Sequence, residues 1–144
     1  MKRSHHHTVY DLQYHLVLVT KFRSKCLTQE IRDALKEKLD HLCDKWDIEL
    51  KEFGGEDDHV HLMLDCHPTL EIGKLVNNLK TVSSRFVRKN FKEHIDKYLW
   101  NGGLWTRAYY ICSVGGAPIS TVKEYIEKQG KLEDAIHPHS NQRL

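Results

Sequence analysis

Two histidines with one apolar residue between them, His59 and His61, lie in the segment HVHLMLD. The segment alternates as a β-strand does, and residues two apart in a strand point to the same face. The two imidazoles can therefore chelate one metal ion. Later in the chain, Tyr125 and Gln129 in VKEYIEKQG have i, i+4 spacing, which puts them about 6 Å apart along one face of a predicted helix. They would supply a hydroxyl nucleophile and a third metal ligand.

Each of these features also has an ordinary structural explanation. H-x-H is a short motif with many chance occurrences, and both histidines could simply line a polar sheet surface. Tyr125 could be a packing residue of an amphipathic helix, and Gln129 near a helix end needs no functional role. The functional interpretation depends on the features occurring together, in the predicted order and spacing.

The acidic residues just before the histidines, Glu56, Asp57 and Asp58, follow a pair of glycines in GGEDD. They could position a metal ion or a water molecule. A solvated acidic turn is the favoured interpretation, because such Gly- and Asp-rich clusters are typical of exposed turns.

The composition indicates one globular domain. The chain has 144 residues, of which 40% are hydrophobic and 29% charged, enough to bury a core. We predict a single domain over residues 1–144, with a core at about 8–131 and a flexible tail at 132–144. No apolar run approaches the roughly 18 residues that span a bilayer, and the N-terminal segment lacks a signal-peptide core, so no membrane association and a cytoplasmic location are expected. The histidines at 5–7 are interpreted as native, without an assigned role.

The four cysteines are scattered, without C-x-x-C spacing, and are expected to be reduced and mostly buried. They are Cys26, Cys43, Cys66 and Cys112. The 22 basic and 20 acidic side chains give a formal charge of +2, which does not by itself indicate a nucleic-acid partner.

The hydrophobic patterns predict the element order β-α-β-β-α-β followed by one extra helix. The predicted strands cover residues 8–22, 47–56, 59–66 and 104–114; the predicted helices run from the cap Thr28 to Trp46, over 70–91, and from Ser120 or Thr121 to Gly130. This order is that of the ferredoxin-like α+β fold, shared with RNA-recognition domains, in which two helices cover one face of a four-stranded antiparallel sheet. Its first and third strands are central, so His59 and His61 are expected in mid-sheet.

Basic residues concentrate in the second predicted helix and after the first strand. They are Lys80, Arg85, Arg88 and Lys89 in the helix and Lys21 and Arg23 after the strand. Contacts with phosphates dominate DNA affinity, so these residues are candidates for DNA binding. A solvated helix face is the ordinary alternative.

The combination of HVHLMLD with the later YIEKQ resembles the single-tyrosine HUH transposases of insertion sequences that move as single-stranded DNA, often called TnpA. Other similar segments are YHLVLVTKFR, FGGEDDHVHLML, LKTVSSRFVRK and LWTRAYYICSVG. The resemblance extends over residues 10–130, and it is far more specific than any of its motifs.

The resemblance implies cleavage and rejoining of single-stranded DNA without external energy. By the same resemblance, His59, His61 and Gln129 hold Mg²⁺ or Mn²⁺, and Tyr125 attacks the scissile phosphate to leave a 5′-phosphotyrosine and a free 3′-hydroxyl. A tyrosine has an ordinary pKa near 10, so a cation beside the phosphate suits this chemistry. Imidazole ligands favour Mn²⁺ over Mg²⁺, and the identity stays open.

The resemblance also implies partners: DNA with hairpins near the element ends, and a second copy of the chain. In such a homodimer one chain's histidines act with the other chain's tyrosine, and Gly115 and Gly116 could form the joint that allows it; an ordinary turn is the alternative. Two other functions stay open. One is a non-catalytic nucleic-acid binder that stacks bases on sheet aromatics. The other is a related HUH nickase or domesticated repeat-associated enzyme that does not transpose.

Overall fold

The chain folds into a four-stranded antiparallel sheet whose two long helices pack on one face. The computed structural model describes residues 3–5, 8–114 and 124–128. Its strands are β1 (Arg3–His5), β2 (Thr8–Tyr10), β3 (Leu12–Val19), β4 (Glu49–Gly55), β5 (His59–Cys66) and β6 (Tyr110–Ser113). Its helices are α1 (Gln29–Lys45), α2 (Ile72–Asn90) and α3 (Lys92–Asp96), and residues 124–128 are also helical.

The main sheet has the strand order β4-β5-β3-β6, with every neighbouring pair antiparallel. This confirms the ferredoxin-like prediction, including the central positions of β3 and β5. The bounds of β5 match the predicted 59–66 because its alternation and its flanking turn are both clear in the sequence.

Three strands are shorter than predicted: β4 covers Glu49–Gly55 rather than 47–56, and the other two are interrupted. The predicted strand 8–22 is broken at Asp11, and its first part pairs with β1 in a separate two-stranded sheet. Of the predicted strand 104–114, only β6 forms a continuous strand. Trp105 makes one isolated bridge with Thr20. The reason is that strand-like composition does not show where a chain changes its pairing partner. The five-residue helix α3 was also not predicted, since it is too short to show a helical period.

Alternation along the central strands divides apolar residues between the two sheet faces. Leu16 and Leu18 of β3 and Leu62 and Leu64 of β5 are fully buried in the main core, together with residues of α1 and α2. The helix α1 begins at the predicted cap, because the Thr28 hydroxyl accepts a hydrogen bond from the Ile31 amide at 3.2 Å. Helix packing thus occupies one face, and the intervening residues of β3 and β5 point to the other.

The four cysteines are free thiols, as predicted, and three of them are buried. Burial raises the pKa of Cys26 to about 11, so this thiol stays protonated at neutral pH. Within residues 3–5, 8–114 and 124–128, no helix combines the length and the apolar character that a membrane crossing requires.

Several predicted features lie outside the described residues. They are Gln129, the joint at Gly115 and Gly116, the cap at Ser120 or Thr121, the helix end at Gly130, the tail at 132–144, and the histidines at 6 and 7. The extent of the single domain stays a prediction.

Candidate active site

The two histidines of the HVH segment lie on the sheet face opposite α1 and α2. In the antiparallel ladder His59 pairs with Val19 and His61 pairs with Val17. Because side chains of directly paired residues share a face, these four side chains form one patch. We call the face they define the open face.

Tyr125 packs on the open face beside this patch. Ile126, which is buried, clusters with Val17 and Val19, and Tyr125 and Tyr110 pack against the cluster. The rings of Tyr110 and Tyr125 are tilted at 49° with centroids 5.2 Å apart. Tyr125 is half-buried, and its hydroxyl oxygen is buried. The chain therefore brings the Tyr125 side chain to the cross-strand neighbours of the two histidines.

His59 is held by a buried carboxylate. Its Nδ1 lies 2.9 Å from Oδ1 of Asp58, and Oδ2 of Asp58 accepts a hydrogen bond from Nε of Arg23, also at 2.9 Å. Asp58 is only 4% exposed. Burial alone would raise the pKa of Asp58, but the hydrogen bonds from His59 and Arg23 outweigh it and lower the pKa, so the carboxyl stays ionised.

His61 lies against the backbone of the edge strand β4. It pairs with Gly54, and a Cβ added at Gly54 would meet Nε2 of His61 at 2.6 Å, so a larger residue would displace the ring. His61 is exposed overall, yet desolvation of its ring, followed by the charges of His59 and His15, lowers its pKa. The ring is therefore neutral at pH 7 and its lone pair is available to a cation.

The same end of β5 carries carboxylates within reach of a cation. One ligand atom from each of Glu56, Asp58 and His59 can be chosen so that all three lie within 4.8 Å of one another. Oxygen and imidazole donors together fit a divalent ion such as Mn²⁺ or Mg²⁺. Both Asp58 oxygens already have partners, so the exposed Glu56 fits a direct ligand better.

Asp58 is the functional candidate that sequence reasoning undervalued. The solvated acidic turn describes Glu56 and Asp57, which are exposed, but it is wrong for Asp58. The partner that explains its burial, Arg23, lies 35 residues away in the sequence. No local pattern identifies such a pair.

Four of the six predicted DNA-binding residues line one cavity of about 700 Å³, which we call the basic groove. They are Lys80, Arg85, Arg88 and Lys89, and the lining also includes Gly102, Gly103 and Leu104. The groove also borders Lys21, whose Nζ lies 2.9 Å from the position of a Cβ added at Gly102.

The six basic residues differ in the contacts that they already make within the protein. Arg23 pairs with Asp58, and Arg88 donates to the Leu99 carbonyl at 2.9 Å. Arg85 and Lys89 are exposed, which makes them the most accessible cations of the basic groove.

Comparison with known proteins decides the family. The family described as "Transposase IS200 like" matches residues 8–129. The chain belongs to the IS200-like transposases. This transposase is 34% identical to the ISDra2 transposase TnpA of Deinococcus radiodurans over 87% of its own length and 89% of the relative's. It is 29% identical to the transposase for insertion sequence element IS200 of Salmonella typhimurium, over 85% and 80% of the two chains.

A solved structure supports the same assignment. The crystal structure of a candidate transposase from Deinococcus radiodurans R1 matches this transposase with a TM-score of 0.80 and 33% identity, over 90% of this chain and 98% of the other. The family resemblance and the α+β fold are thus confirmed. On the described open face, the central strands β3 and β5 present histidines and valines but no phenylalanine, tyrosine or tryptophan, which disfavours a binder that stacks bases on those rings.

Proposed function

We propose that this transposase cleaves and rejoins single-stranded DNA through a covalent bond between Tyr125 and a 5′-phosphate, with a divalent cation held by His59 and His61. The observation that supports this most is the shared open face. Tyr125 packs on Val17 and Val19, which are the cross-strand partners of the two histidines. A nucleophile and two metal ligands within one patch are what such chemistry requires.

The donor chemistry around the histidines fits a divalent cation. His61 is neutral, and the contact of His59 Nδ1 with Asp58 leaves Nε2 of His59 for a ligand bond. Gln129, or the nearby carboxylate of Glu56, would complete the protein donors. When bound, Mg²⁺ or Mn²⁺ polarises the scissile phosphate and offsets the negative charge that develops there.

Tyr125 is the attacking group in this proposal. Tyr125 loses its hydroxyl proton to solvent, and its oxygen forms the bond to phosphorus while the bond from phosphorus to the 3′-oxygen breaks. The released oxygen takes up a proton from solvent as a 3′-hydroxyl. The phosphotyrosine conserves the energy of the broken bond, so attack by a 3′-hydroxyl can rejoin strands and release Tyr125. Because the Tyr125 hydroxyl is buried in the docked arrangement, segment 124–128 has to shift before it can reach a phosphate.

The basic groove is the proposed path of the DNA backbone. Backbone hydrogen bonds link the two regions: the Thr20 amide donates to the Asp58 carbonyl, and the Lys21 amide donates to the Leu104 carbonyl, each at 3.0 Å. The end of β3 therefore connects the histidine site with the groove wall. The hairpin ends and the homodimer follow from the family resemblance and belong to this proposal.

A covalent-adduct assay tests the proposed function. A labelled single-stranded oligonucleotide that carries the element's hairpin end is incubated with the full chain, with Mn²⁺ or with a chelator. We expect a denaturant-resistant protein–DNA adduct that forms with the ion and not with the chelator, and not on fully duplex DNA. An adduct yield that is the same with the chelator as with Mn²⁺ would contradict the metal-dependent mechanism.

Replacing both exposed cations of the basic groove, Arg85→Gln with Lys89→Gln, should weaken DNA binding at all sequences. Loss of two phosphate contacts to single-stranded DNA is expected to reduce the slope of log affinity against log salt by about 1.4. Affinity is measured by fluorescence anisotropy at several salt concentrations. Lys45→Gln, an exposed cation at the end of α1, is the matched control and should leave the slope unchanged. Equal slopes for the double variant and the control would show that these groove residues do not contact the DNA backbone.

A further inference from the structure

A continuous hydrogen-bond network connects Arg23, Asp58 and His59 and ends at the histidine site. Each of the two contacts measures 2.9 Å, and each uses a different oxygen of the same carboxylate. Asp58 is 4% exposed, whereas the side chain of Arg23 is 35% exposed. The hydrogen bonds therefore connect the protein surface with the histidine site through the buried carboxylate of Asp58.

The chemistry of the carboxylate fixes the direction of the bond to His59. An ionised carboxylate can only accept, and Arg23 occupies its other oxygen as a donor. Nδ1 of His59 must then carry a proton, so Nε2 is the ring nitrogen whose lone pair can bind a cation. A histidine whose Nδ1–H is held by a carboxylate has one fixed orientation as well as one fixed tautomer.

The backbone around Arg23 is shaped to make this contact. Phe22 and Arg23 have φ values of 58° and 50°, in the left-handed region that residues other than glycine rarely adopt. Such conformations persist only where surrounding bonds hold them. In this case the Thr20 amide donates to the Asp58 carbonyl at 3.0 Å, the Thr20 hydroxyl donates to the Ser24 carbonyl at 2.8 Å, and the Arg23 amide donates back to the Thr20 carbonyl. The turn and Asp58 are thus tied together by backbone and side chain.

We propose that Asp58 and Arg23 are positioning residues, which fix the tautomer and orientation of His59 so that Nε2 is presented to the cation. Asp58 acts through His59 and is not itself a ligand. This inference rests on the proposed metal site, and it assigns a function to a turn 35 residues away in the sequence.

The experiment measures two properties of the full chain. Mn²⁺ affinity is measured by titration with electron paramagnetic resonance, and the His59 tautomer is measured on metal-free protein by ¹⁵N NMR of the histidine rings. Asp58→Ala is expected to lose about 10- to 100-fold in Mn²⁺ affinity, and Arg23→Gln to lose affinity at the lower end of that range. In Asp58→Ala the His59 proton should move from Nδ1 toward Nε2. Asp57→Ala, an exposed neighbour, is the matched control and should match wild type in both properties.

The outcomes separate this inference from the proposed function. If His59→Ala binds Mn²⁺ as well as wild type, the metal site itself is wrong, while the tautomer measurement still tests the role of Asp58. If His59→Ala loses affinity and folded Asp58→Ala does not, the positioning role is overturned alone. Asp58→Leu has a similarly branched side chain without a hydrogen-bond acceptor and replaces Asp58→Ala if that variant fails to fold. A His59 tautomer unchanged in the folded variant also overturns the inference.

Discussion

Tyr125→Phe is expected to abolish the covalent protein–DNA adduct, with a loss of at least about 10³-fold in adduct yield. The substitution removes the oxygen that would bond to phosphorus and leaves the ring. Packing against Tyr110, at 5.2 Å between centroids, and against the cluster of Val17, Val19 and Ile126 is therefore retained. Thermal unfolding and DNA affinity should stay close to wild type, so the loss is measured as chemistry rather than as folding. The adduct is quantified on denaturing gels with labelled single-stranded DNA.

Tyr110→Phe is the matched control, because Tyr110 is the described tyrosine whose ring contacts Tyr125 on the open face. A hydrogen bond with Cys112 raises the pKa of Tyr110, so a smaller fraction of this tyrosine is ionised at neutral pH. We expect Tyr110→Phe to form the adduct at a rate near wild type. An adduct that survives in Tyr125→Phe and disappears in Tyr110→Phe would transfer the nucleophile assignment to Tyr110.

The positions of His59 and His61 on one face could be predicted because they follow from a single local rule. Side chains two apart in a strand share a face, and the alternation around the pair identifies the strand. The helix α1 was predictable for a similar reason, since its cap and its leucine spacing are both local. Element order then determined the sheet topology, because few arrangements satisfy the β-α-β-β-α-β order.

The remainder of the site depends on contacts between distant parts of the chain. Asp58 can be buried because Arg23, in a turn of unusual backbone conformation, donates a hydrogen bond to it. The sequence around each of the two residues does not predict this contact. The ring of His61 has its place because Gly54, on another strand, has no side chain. Such contacts follow from strand register and turn geometry, which sequence periodicity does not specify.

His61→Ala should lower metal-dependent adduct formation at least about 100-fold at an Mn²⁺ concentration that saturates wild type, because one of two imidazole ligands is lost. Part of this loss should be recovered at much higher Mn²⁺, since His59 and Asp58 are untouched. The rate is measured across a range of Mn²⁺ concentrations. His41→Ala removes an exposed imidazole from α1 and is the control, which should titrate like wild type. An unchanged Mn²⁺ dependence in His61→Ala would exclude this residue from the metal site.

Mixing His61→Ala with Tyr125→Phe then identifies which chain supplies each half of the site. Nine residues separate Val114 from Glu124, a segment that extended chain geometry allows to span about 30 Å. The Tyr125 hydroxyl is buried when segment 124–128 is docked on its own sheet, so use of the tyrosine requires that the segment leave this position. If it docks on the partner of a homodimer, an equal mixture contains one intact composite site in each heterodimer, and we expect activity of about a quarter of wild type. If every site is built within one chain, both chains of the heterodimer are defective and the mixture stays inactive.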